Sequence, residues 1–395
     1  MNYPKIILKP GKEQSLQRFH PWVFSGAIKR IEGALSEGDI VTVVGFDSTF
    51  LGIGHYHSGS ISVRILTFKE ETINDEFWKN KLQNALKLRK SLGLYPNPET
   101  TIFRLVHGEG DNLPGLIVDI YDNTAVMQCH SIGMYLTRHT IAKQIIEIFD
   151  GHVKAVYDKS SGTLPLREKY NPTDEYLLGN DSTQGKLKEY GNKFLISWDE
   201  GQKTGFFIDQ RENRKLLQNY SNGLKVLNTF GYTGGFSVFA MRGGAKEVVT
   251  VDSSEKAIAL SIQNVASNFS NTDNHRAIAV DTFEYFRTTD EKFDIIILDP
   301  PAFAKHQESL RNALQAYKRL NLAAIRKLNP GGILFTFSCS QVVSKIDFRN
   351  AVFSACAISG REVSILHQLT QPADHPINIY HPEGEYLKGL VLWVK

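Results

Sequence analysis

The stretch from residue 225 to residue 252 constrains the fold more than any other part of the chain. It begins with an apolar run, Val226 and Leu227, and passes through a glycine-bearing turn into a helical pattern that ends at Gly243. A β-branched run follows and ends in Asp252. Strand, glycine turn, helix, strand and acid in this order predict one half of a doubly wound α/β sheet that binds a nucleoside.

The glycine turn limits which nucleoside fits. A dinucleotide fingerprint, G-x-G-x-x-G, would need a second glycine two residues after Gly231, where this chain has Thr233. Without that tight pyrophosphate cradle, a nucleoside lacking phosphates, such as S-adenosylmethionine, fits better than the dinucleotide of a dehydrogenase. A plain strand–helix connection would also explain the glycines, but an acid such as Asp252 at the end of the next strand can accept both hydroxyls of a ribose and favours a cofactor site.

Length and composition exclude several classes of protein. A chain of 395 residues predicts two or three domains. Three cysteines without a C-x-x-C pair exclude a disulfide framework, argue against a structural zinc site and predict a reducing compartment such as the cytoplasm. The N-terminal residues lack the apolar core of a signal peptide, and no apolar run is long enough to span a membrane. The net charge of +3 neither requires nor forbids a nucleic-acid partner.

Three regions differ in pattern. Residues 1–72 carry short β-branched runs separated by glycine turns, which predict an all-β domain. A small barrel with a solvated rim would suffice to explain this layout, but it also resembles a PUA domain, a compact β-fold that binds structured RNA. Residues 73–189 combine an amphipathic connecting helix with an alternation of strands and a helix, and residues 190–395 alternate strand and helix to the end of the chain. This alternation predicts a mostly parallel sheet that is covered by helices on both faces.

Five residues with chemical potential each follow a predicted strand of the last region. They are Gly231, Asp252, Asp281, Asp299 and Cys339. Ligands of doubly wound sheets bind outside the carboxyl ends of the strands, so these residues are expected to share one edge. One such placement would arise by chance, but five together indicate a site.

The run Asp299-Pro300-Pro301-Ala302-Phe303 is the sharpest of these signals. Two prolines stiffen the turn and remove two N–H donors, which leaves Asp299 and the neighbouring carbonyls directed at a flat group. Phe303 could stack on that group. A rigid strand exit is the structural alternative, whereas nucleobase methyltransferases use such a turn to hold a flipped or unpaired base.

Cys339 is the one cysteine in a chemically useful position. Methylation of cytosine at C5 requires a thiolate that attacks C6, and a cysteine on a strand-exit loop near Asp299 is suited to this. Buried cysteines are usually structural, and the helical pattern around Cys356 and the strand pattern around Cys129 predict that role for both. No His, Asp or Glu cluster has metal-ligand spacing, so no metal is expected.

Four motifs identify a family resemblance. They are residues 207–214, 228–235, 299–303 and 338–340, in that order behind the PUA-like region. Together they resemble the S-adenosylmethionine-dependent methyltransferases of large-subunit ribosomal RNA that form 5-methylcytosine.

The resemblance implies three domains: a PUA domain, a central module of strand–strand–helix–strand–strand type, and a class I Rossmann-like methyltransferase domain. It also implies that Cys339 is the nucleophile and acts with Asp299, and that Pro300, Pro301 and Phe303 bind the substrate base. The cofactor-binding residues that it implies are Asp209, Gln210, Arg211, Asn228, Phe230, Gly231, Tyr232, Gly234, Asp252, Asp281 and Asp299.

Alternatives remain open at this level. A related branch with similar motifs methylates guanine N7 and needs no thiolate, in which case Cys339 would be structural. A third reading is an RNA-binding assembly factor with a vestigial pocket. Taken alone, Arg211 and its polar neighbours could form a solvated first turn of a helix, although the resemblance assigns them to the cofactor. The sequence leaves open which nucleotide is modified and whether the chain forms a homodimer.

Overall fold

The computed structural model describes residues 3–180 and 186–395 of the chain. These residues group into two compact units, each built from separated stretches of sequence. The first unit contains residues 1–187, 196–208 and 373–384, and the second contains residues 188–195, 209–372 and 385–395. The domain boundaries after residues 72 and 189 stay predictions.

The first sheet of the first unit is formed by the N-terminal region, as the β-branched runs predict. Its six strands lie in the order β2-β6-β5-β4-β1-β3. Residues two apart in a strand share a face, and pairs such as Ile6 and Leu8 or Val41 and Val43 are fully buried in the core of this sheet. The elements are β1 (Lys5–Leu8), α1 (Gln14–Gln17), β2 (Trp22–Phe24), β3 (Ile28–Glu32), β4 (Ile40–Val44), β5 (Phe50–Tyr56) and β6 (Ile61–Thr67).

The connecting helix, α2 (Asp75–Ser91), forms where the amphipathic pattern predicts it. The Asn74 side chain caps it by accepting a hydrogen bond from the backbone N–H of Phe77 at 2.9 Å. Acidic residues in its first turn and basic residues in its last turn complement the helix dipole. Both the cap and the charges fix this helix at its predicted place.

A second sheet of five strands follows in the order β11-β10-β9-β8-β7. Three strands precede the helices of this module and two follow, which is one strand more at the start than the strand–strand–helix–strand–strand order. The extra strand is β7, which lies at the edge of the sheet and pairs antiparallel with β8. The elements are β7 (Ile102–His107), β8 (Leu116–Tyr121), β9 (Thr124–Cys129), α3 (Ile132–Leu136), α4 (Arg138–Ile148), β10 (Ala155–Asp158), α5 (Arg167–Tyr170) and β11 (Glu175–Leu178).

The second unit is built on a seven-stranded sheet. The chain reaches it through a two-stranded ribbon of β12 (Lys186–Glu189) and β13 (Asn192–Leu195) and then through helix α6 (Arg211–Tyr220). The remaining elements are β14 (Lys225–Thr229), α7 (Gly235–Arg242), β15 (Glu247–Asp252), α8 (Glu255–Ala266), β16 (His275–Ala279), α9 (Thr282–Thr288), β17 (Phe293–Leu298), α10 (Leu310–Lys327), β18 (Leu328–Ser338), α11 (Lys345–Ser359), β19 (Val363–Thr370) and β20 (Lys388–Val394).

The strand order of this sheet, β16-β15-β14-β17-β18-β20-β19, confirms the doubly wound prediction. Strands β14 to β18 run parallel, whereas β20 is antiparallel to both β18 and β19. The order reverses between β14 and β17, and the crevice at such a switch point is where doubly wound sheets bind ligands. The apolar residues of β17 lie in the centre of the core because helices cover both faces of the sheet.

Neither a membrane-spanning helix nor a metal-binding cluster is present in the part of the chain that the structure describes. None of its helices combines the length and the apolar character that crossing a bilayer requires. No group of three or more His, Cys, Asp or Glu side chains in residues 3–180 and 186–395 is arranged to hold a metal ion.

Candidate active site

The strand register brings the predicted site residues to one edge of the seven-stranded sheet. Thr229, the last residue of β14, lies opposite Leu298 of β17 and Val251 of β15. Leu298 in turn lies opposite Thr336 of β18. The residues that follow these strands therefore emerge side by side, and a single crevice can combine a glycine turn, acids and a thiol.

The glycine turn after β14 is held in a conformation that most residues avoid. Phe230 and Tyr232 have φ angles of 54° and 44°, which lie in the left-handed region that L-residues rarely adopt. Gly231 has no room for a side chain, because a Cβ there would lie 2.4 Å from the Cγ2 atom of Thr250. Strain of this kind, on the order of 1–3 kcal/mol for each residue, clusters at ligand-binding sites.

Asp252 supports this turn and still has acceptor capacity. Its Oδ2 atom accepts a hydrogen bond from the backbone N–H of Tyr232 at 3.0 Å, and its Oδ1 atom accepts one from Ser254 at 2.9 Å. Each carboxylate oxygen has a second lone pair, so hydroxyl groups of a ligand can bind in addition. The side chain of Asp252 is partly exposed, which leaves those lone pairs accessible.

Asn228 and Asp281 also combine a structural bond with a remaining acceptor. The Asn228 amide donates to Ser237 Oγ at 2.9 Å, while its buried Oδ1 atom accepts no hydrogen bond from the described residues. Asp281 caps α9, because its Oδ1 atom accepts from the backbone N–H groups of Phe283 at 2.9 Å and Glu284 at 3.0 Å. This cap fixes Asp281 at the carboxyl end of β16 with its second oxygen available to a ligand.

Two carboxylates, Asp209 and Asp299, are linked through the start of α6. Gln210 donates from Nε2 to Asp299 Oδ1 at 2.9 Å, and its own carbonyl oxygen accepts from Asn213 Nδ2 at 2.6 Å, which fixes the orientation of the amide. Asp209 Oδ2 accepts from the Tyr386 hydroxyl at 2.7 Å. Asp209 Oδ1 is buried and accepts nothing within the described ranges of the chain, so this acceptor remains available for a ligand.

Asp299 is the acid whose protonation is most altered. Burial raises the pKa of Asp299 to about 7, and the nearby Asp209 carboxylate adds to the effect, while the hydrogen bond from Gln210 opposes it. The Asp299 carboxyl is therefore close to half protonated at neutral pH. A group of this kind can both donate and accept a proton under physiological conditions.

The arginines at the start of α6 are not on a solvated turn. Arg211 and Arg214 are both buried, which makes that alternative wrong. Arg214 forms a two-pronged ion pair with Glu189, at 2.7 and 2.8 Å, and such a pair compensates the burial of both charges. Arg211 donates from Nε to Glu212 at 3.2 Å. Helix α6, which follows directly after Asp209 and Gln210, is thus firmly attached within its unit.

The loop that carries Cys339 is fixed against the Asp-Pro-Pro turn. Ser338 and Ser340 are fully buried, whereas Cys339 between them is partly exposed and is not in a disulfide. Ser340 donates from Oγ to the carbonyl of Ala304 at 2.6 Å, which connects the loop directly to the segment that begins at Asp299. The thiol and the titratable acid therefore lie at adjacent strand exits.

The other two cysteines have the environments that their patterns predict. Cys129 is fully buried within β9, where desolvation raises the pKa of its thiol well above the usual range. Cys356 lies on α11, and burial raises the pKa of its thiol to about 11. Neither supplies a thiolate at neutral pH.

Phe303 has a partner that the sequence did not reveal. Its ring packs on the ring of Tyr317 in α10, with 4.8 Å between centroids and a tilt of 49°. Pro300 is buried and Pro301 is exposed, so the turn presents one proline to solvent. A base that enters the site would meet Phe303 already supported from behind by Tyr317.

Two further residues of the site escaped the sequence analysis. Tyr386 bonds Asp209, and Lys388 at the start of β20 donates from Nζ to the carbonyls of Ser340 at 2.6 Å and Val343 at 2.7 Å. Neither lies in a recognisable motif. Their place in the site depends on the pairing of β20 with β18, the strand that leads into the cysteine loop, and no local pattern reveals that pairing.

Comparison with protein families finds two matching models. A PUA-like domain matches residues 6–68, and an S-adenosylmethionine-dependent methyltransferase matches residues 148–376. The second match spans more than half of the chain. Both agree with the fold class expected from the sequence, a PUA-like N-terminal domain and a Rossmann-like methyltransferase domain.

Relatives and solved structures extend the similarity to the whole chain. Ribosomal RNA large subunit methyltransferase I of Alteromonas mediterranea is 39% identical over 98% of both chains, and that of Aeromonas salmonicida is 38% identical over the same shares. A SAM-dependent methyltransferase from Streptococcus mutans shares the fold with a TM-score of 0.84, at 23% identity and over 99% of this chain and 100% of that one. A methyltransferase solved in complex with SAH has a TM-score of 0.85 at the same identity and coverage.

Proposed function

We propose that this chain methylates a cytosine of large-subunit ribosomal RNA at C5. The chain belongs to the ribosomal RNA large subunit methyltransferase I family of S-adenosylmethionine-dependent enzymes. The observation that carries the choice of cytosine is the pairing of a partly exposed Cys339 with the titratable Asp299 at adjacent strand exits. We expect the enzyme to act in the cytoplasm, where its substrate is assembled into ribosomes.

The residues at the sheet edge fit S-adenosylmethionine. Asp252 offers acceptors for the ribose hydroxyls, and Asp281 offers one beside the adenine. The absence of a Cβ at Gly231 lets the turn pack directly against Thr250, and Gly234 adopts a φ of 74° that continues the turn into α7. The unpartnered Oδ1 atoms of Asn228 and Asp209 supply further acceptors. When bound, the cofactor supplies an electrophilic methyl group on a sulfonium.

Asp209 and the two residues that follow it support closure over the cofactor. Asp209, Gln210 and Arg211 form the junction between a short 3-10 helix and α6, and this junction reaches Asp299 through the Gln210 amide. An amino group of the ligand would satisfy Asp209 Oδ1, which is the one oxygen of that carboxylate without a donor in the described structure.

The reaction begins with Cys339 and Asp299 acting together. The Cys339 thiolate adds to C6 of the cytosine, the electrons of the C5=C6 double bond move toward N3, and the Asp299 carboxyl donates its proton to N3. The product is a neutral enamine whose C5 is nucleophilic and accepts the methyl group. Loss of the C5 proton to solvent then re-forms the double bond, expels the thiolate and returns the N3 proton to Asp299.

The Asp-Pro-Pro turn positions the base for this attack. Pro300 and Pro301 remove two N–H donors, so the carbonyls of the turn can face the exocyclic amino group of cytosine without competing donors. Phe303, supported by Tyr317, offers an aromatic surface near the base. Stacking of this kind is worth about 1–3 kcal/mol per base.

Deleting the gene that encodes this chain tests the choice of base. Mass spectrometry of nucleosides from purified large-subunit ribosomal RNA should show the loss of one 5-methylcytidine per ribosome, with 7-methylguanosine unchanged. Restoring the gene should restore the modification. Loss of 7-methylguanosine instead would assign the chain to guanine methylation with Cys339 structural, and loss of neither would favour an RNA-binding assembly factor.

The glycine turn can be tested by replacing Gly231 with alanine. The added Cβ would force Thr250 to move, although the Thr250 hydroxyl bonds both Ser237 at 2.6 Å and His275 at 2.8 Å. We expect the free energy of unfolding to fall by about 1–3 kcal/mol. Calorimetry should show affinity for S-adenosylmethionine reduced at least about tenfold, which is roughly 1.4 kcal/mol.

The matched control for this variant is Gly162→Ala. A Cβ at Gly162 would meet no atom within 4 Å, so affinity and stability should remain at the wild-type level. Wild-type cofactor affinity in the Gly231→Ala variant would contradict the assignment of this turn to the cofactor.

A further inference from the structure

Lys388 is an unusually buried charge. It is 5% exposed, and it is the only lysine in the buried class among the residues that the structure describes. Removing an ammonium from water costs several kcal/mol unless partners compensate it. A lysine at this position therefore requires a physical reason.

The strand pairing places Lys388 directly beside the cysteine loop. In the antiparallel β18–β20 pair, Lys388 lies opposite Ser338, the residue before Cys339. Its Nζ atom donates to the carbonyl of Ser340, the residue after Cys339, and to that of Val343. Lys388 therefore contacts the chain on both sides of Cys339. Its backbone pairs with Ser338, and its ammonium bonds the carbonyls of Ser340 and Val343.

The hydrogen bonds of Lys388 leave its charge without a direct counter-ion. Both of its bonds go to neutral carbonyls, and no carboxylate within the described ranges lies within ion-pair distance of Nζ. An ammonium has three N–H donors, so one remains. Burial lowers the pKa of Lys388 to about 8, so most molecules stay charged at neutral pH.

Cys339 is the group whose negative charge most favours the charged form of Lys388. Cys339 and, to a smaller extent, Glu385 oppose the effect of burial by raising the pKa of Lys388, and Lys345 lowers it. The attraction between the two groups is mutual, so the Lys388 ammonium favours a charged sulfur at Cys339. Asp299 and Tyr317 also lie near this cluster, but neither carries a positive charge.

We infer that Lys388 is a positioning residue that holds Cys339 as a thiolate ready for attack on the base. The inference rests on the proposed function, in which Cys339 is the nucleophile. The thiol proton leaves to solvent, and Lys388 remains an ammonium throughout, so it neither accepts nor donates a proton in the reaction. Its two carbonyl bonds also fix the loop that carries Cys339.

Alkylation of Cys339 by iodoacetamide measures thiolate formation without RNA. The rate is followed against pH, and peptide mass spectrometry assigns it to Cys339. In the Lys388→Met variant we expect the pH midpoint of alkylation to rise by about one unit or more, because a neighbouring opposite charge lowers a thiol pKa by that amount. Methylation at pH 7 should fall about tenfold relative to wild type, and this deficit relative to wild type should narrow at higher pH.

Further variants distinguish the effect of the Lys388 charge from the effect of its hydrogen bonds to the cysteine loop. Lys388→Arg keeps the charge and should retain a midpoint close to wild type, whereas Lys388→Gln keeps N–H donors without charge and should behave like Lys388→Met. Lys345→Met is the matched control, because Lys345 is an exposed lysine of the same neighbourhood that pairs with Glu385. Its midpoint should move by less than about 0.3 units, since exposed pairs are strongly screened.

Two outcomes would overturn different claims. An unchanged alkylation midpoint in Lys388→Met and Lys388→Gln, with lower methylation, would reduce Lys388 to a structural anchor and overturn this inference alone. Full methylation by a variant without the Cys339 thiol would overturn the proposed covalent function, whatever the alkylation midpoint shows. Unchanged affinity for S-adenosylmethionine in each Lys388 variant would confirm that the fold is intact.

Discussion

Replacing Cys339 with alanine should abolish methylation while leaving the cofactor site intact. The C5 atom of cytosine is not nucleophilic until a thiolate has added to C6, so no other group of the site can substitute for the sulfur. We expect a loss of at least about 10⁴-fold in turnover, in the range seen when a covalent nucleophile is removed. Transfer of a radioactive methyl group to ribosomal RNA measures the activity, and calorimetry measures cofactor affinity, which should stay within about twofold.

Trapping of the covalent adduct provides a second measurement. An RNA substrate with 5-fluorocytidine should form a stable adduct with the wild-type enzyme, because fluorine cannot leave C5 as a proton does. Cys339→Ala should form none. Cys356→Ala is the matched control, since Cys356 lies on α11 and not at the sheet edge, and it should trap RNA normally. Normal turnover by Cys339→Ala would exclude the covalent mechanism.

Replacing Asp299 with asparagine should reduce activity by about 10²–10⁴-fold. The side chain keeps its shape and can still accept a hydrogen bond from Gln210, but it cannot donate a proton to N3. In the wild type, the proton-donating form of Asp299 is lost as the pH rises through about 7, so kcat should fall on the alkaline side of that value. In Asp299→Asn this alkaline decline should be absent from the residual activity.

The same substitution should stabilise the protein at alkaline pH. The pKa of Asp299 is raised from 3.8 to about 7 on folding, so its contribution to stability is fully present below pH 3.8 and is lost as the pH rises through 7. Asparagine does not ionise, so the variant does not lose this contribution to stability as the pH rises. The free energy of unfolding of Asp299→Asn relative to wild type should therefore increase between pH 4 and pH 8, by up to about 4 kcal/mol. Urea titrations at several pH values measure the difference.

A variant that is more stable yet inactive cannot be explained by misfolding. Asp294→Asn is the matched control, because Asp294 lies near the amino end of the same strand and bonds Lys225 and Asn329 away from the site. It should keep wild-type activity at every pH. Undiminished activity of Asp299→Asn would remove Asp299 from the proton transfer and leave it as a structural partner of Gln210.

The doubly wound fold was predictable because its signals are local. The apolar run of β17, the glycine turn after β14 and the alternation with helices follow from side-chain periodicity and backbone geometry within short windows of sequence. The carboxyl ends of parallel strands must meet at one edge, so Asp252, Asp299 and Cys339 could be assigned to that edge from the sequence alone. The family motifs added the roles of these residues, which remain proposals.

Other features of the site depend on tertiary contacts. The burial of Arg214 requires Glu189, which lies more than twenty residues away on a different element. Phe303 meets Tyr317 only because α10 packs across the strand exit. Sequence periodicity marks a helix face as apolar, but it does not state which loop that face will touch.

The sequence by itself determined the type of sheet, the edge that holds the candidate site, and the thiol and acid that we propose to act there, because strand direction and turn chemistry are encoded locally. Only the tertiary structure decided the electrostatic state of that pair. The pKa of Asp299 depends on burial and on Asp209, and the charge beside Cys339 comes from Lys388, nearly fifty residues later in the chain. Burial and charge proximity are properties of the packed chain, and no local pattern specifies them.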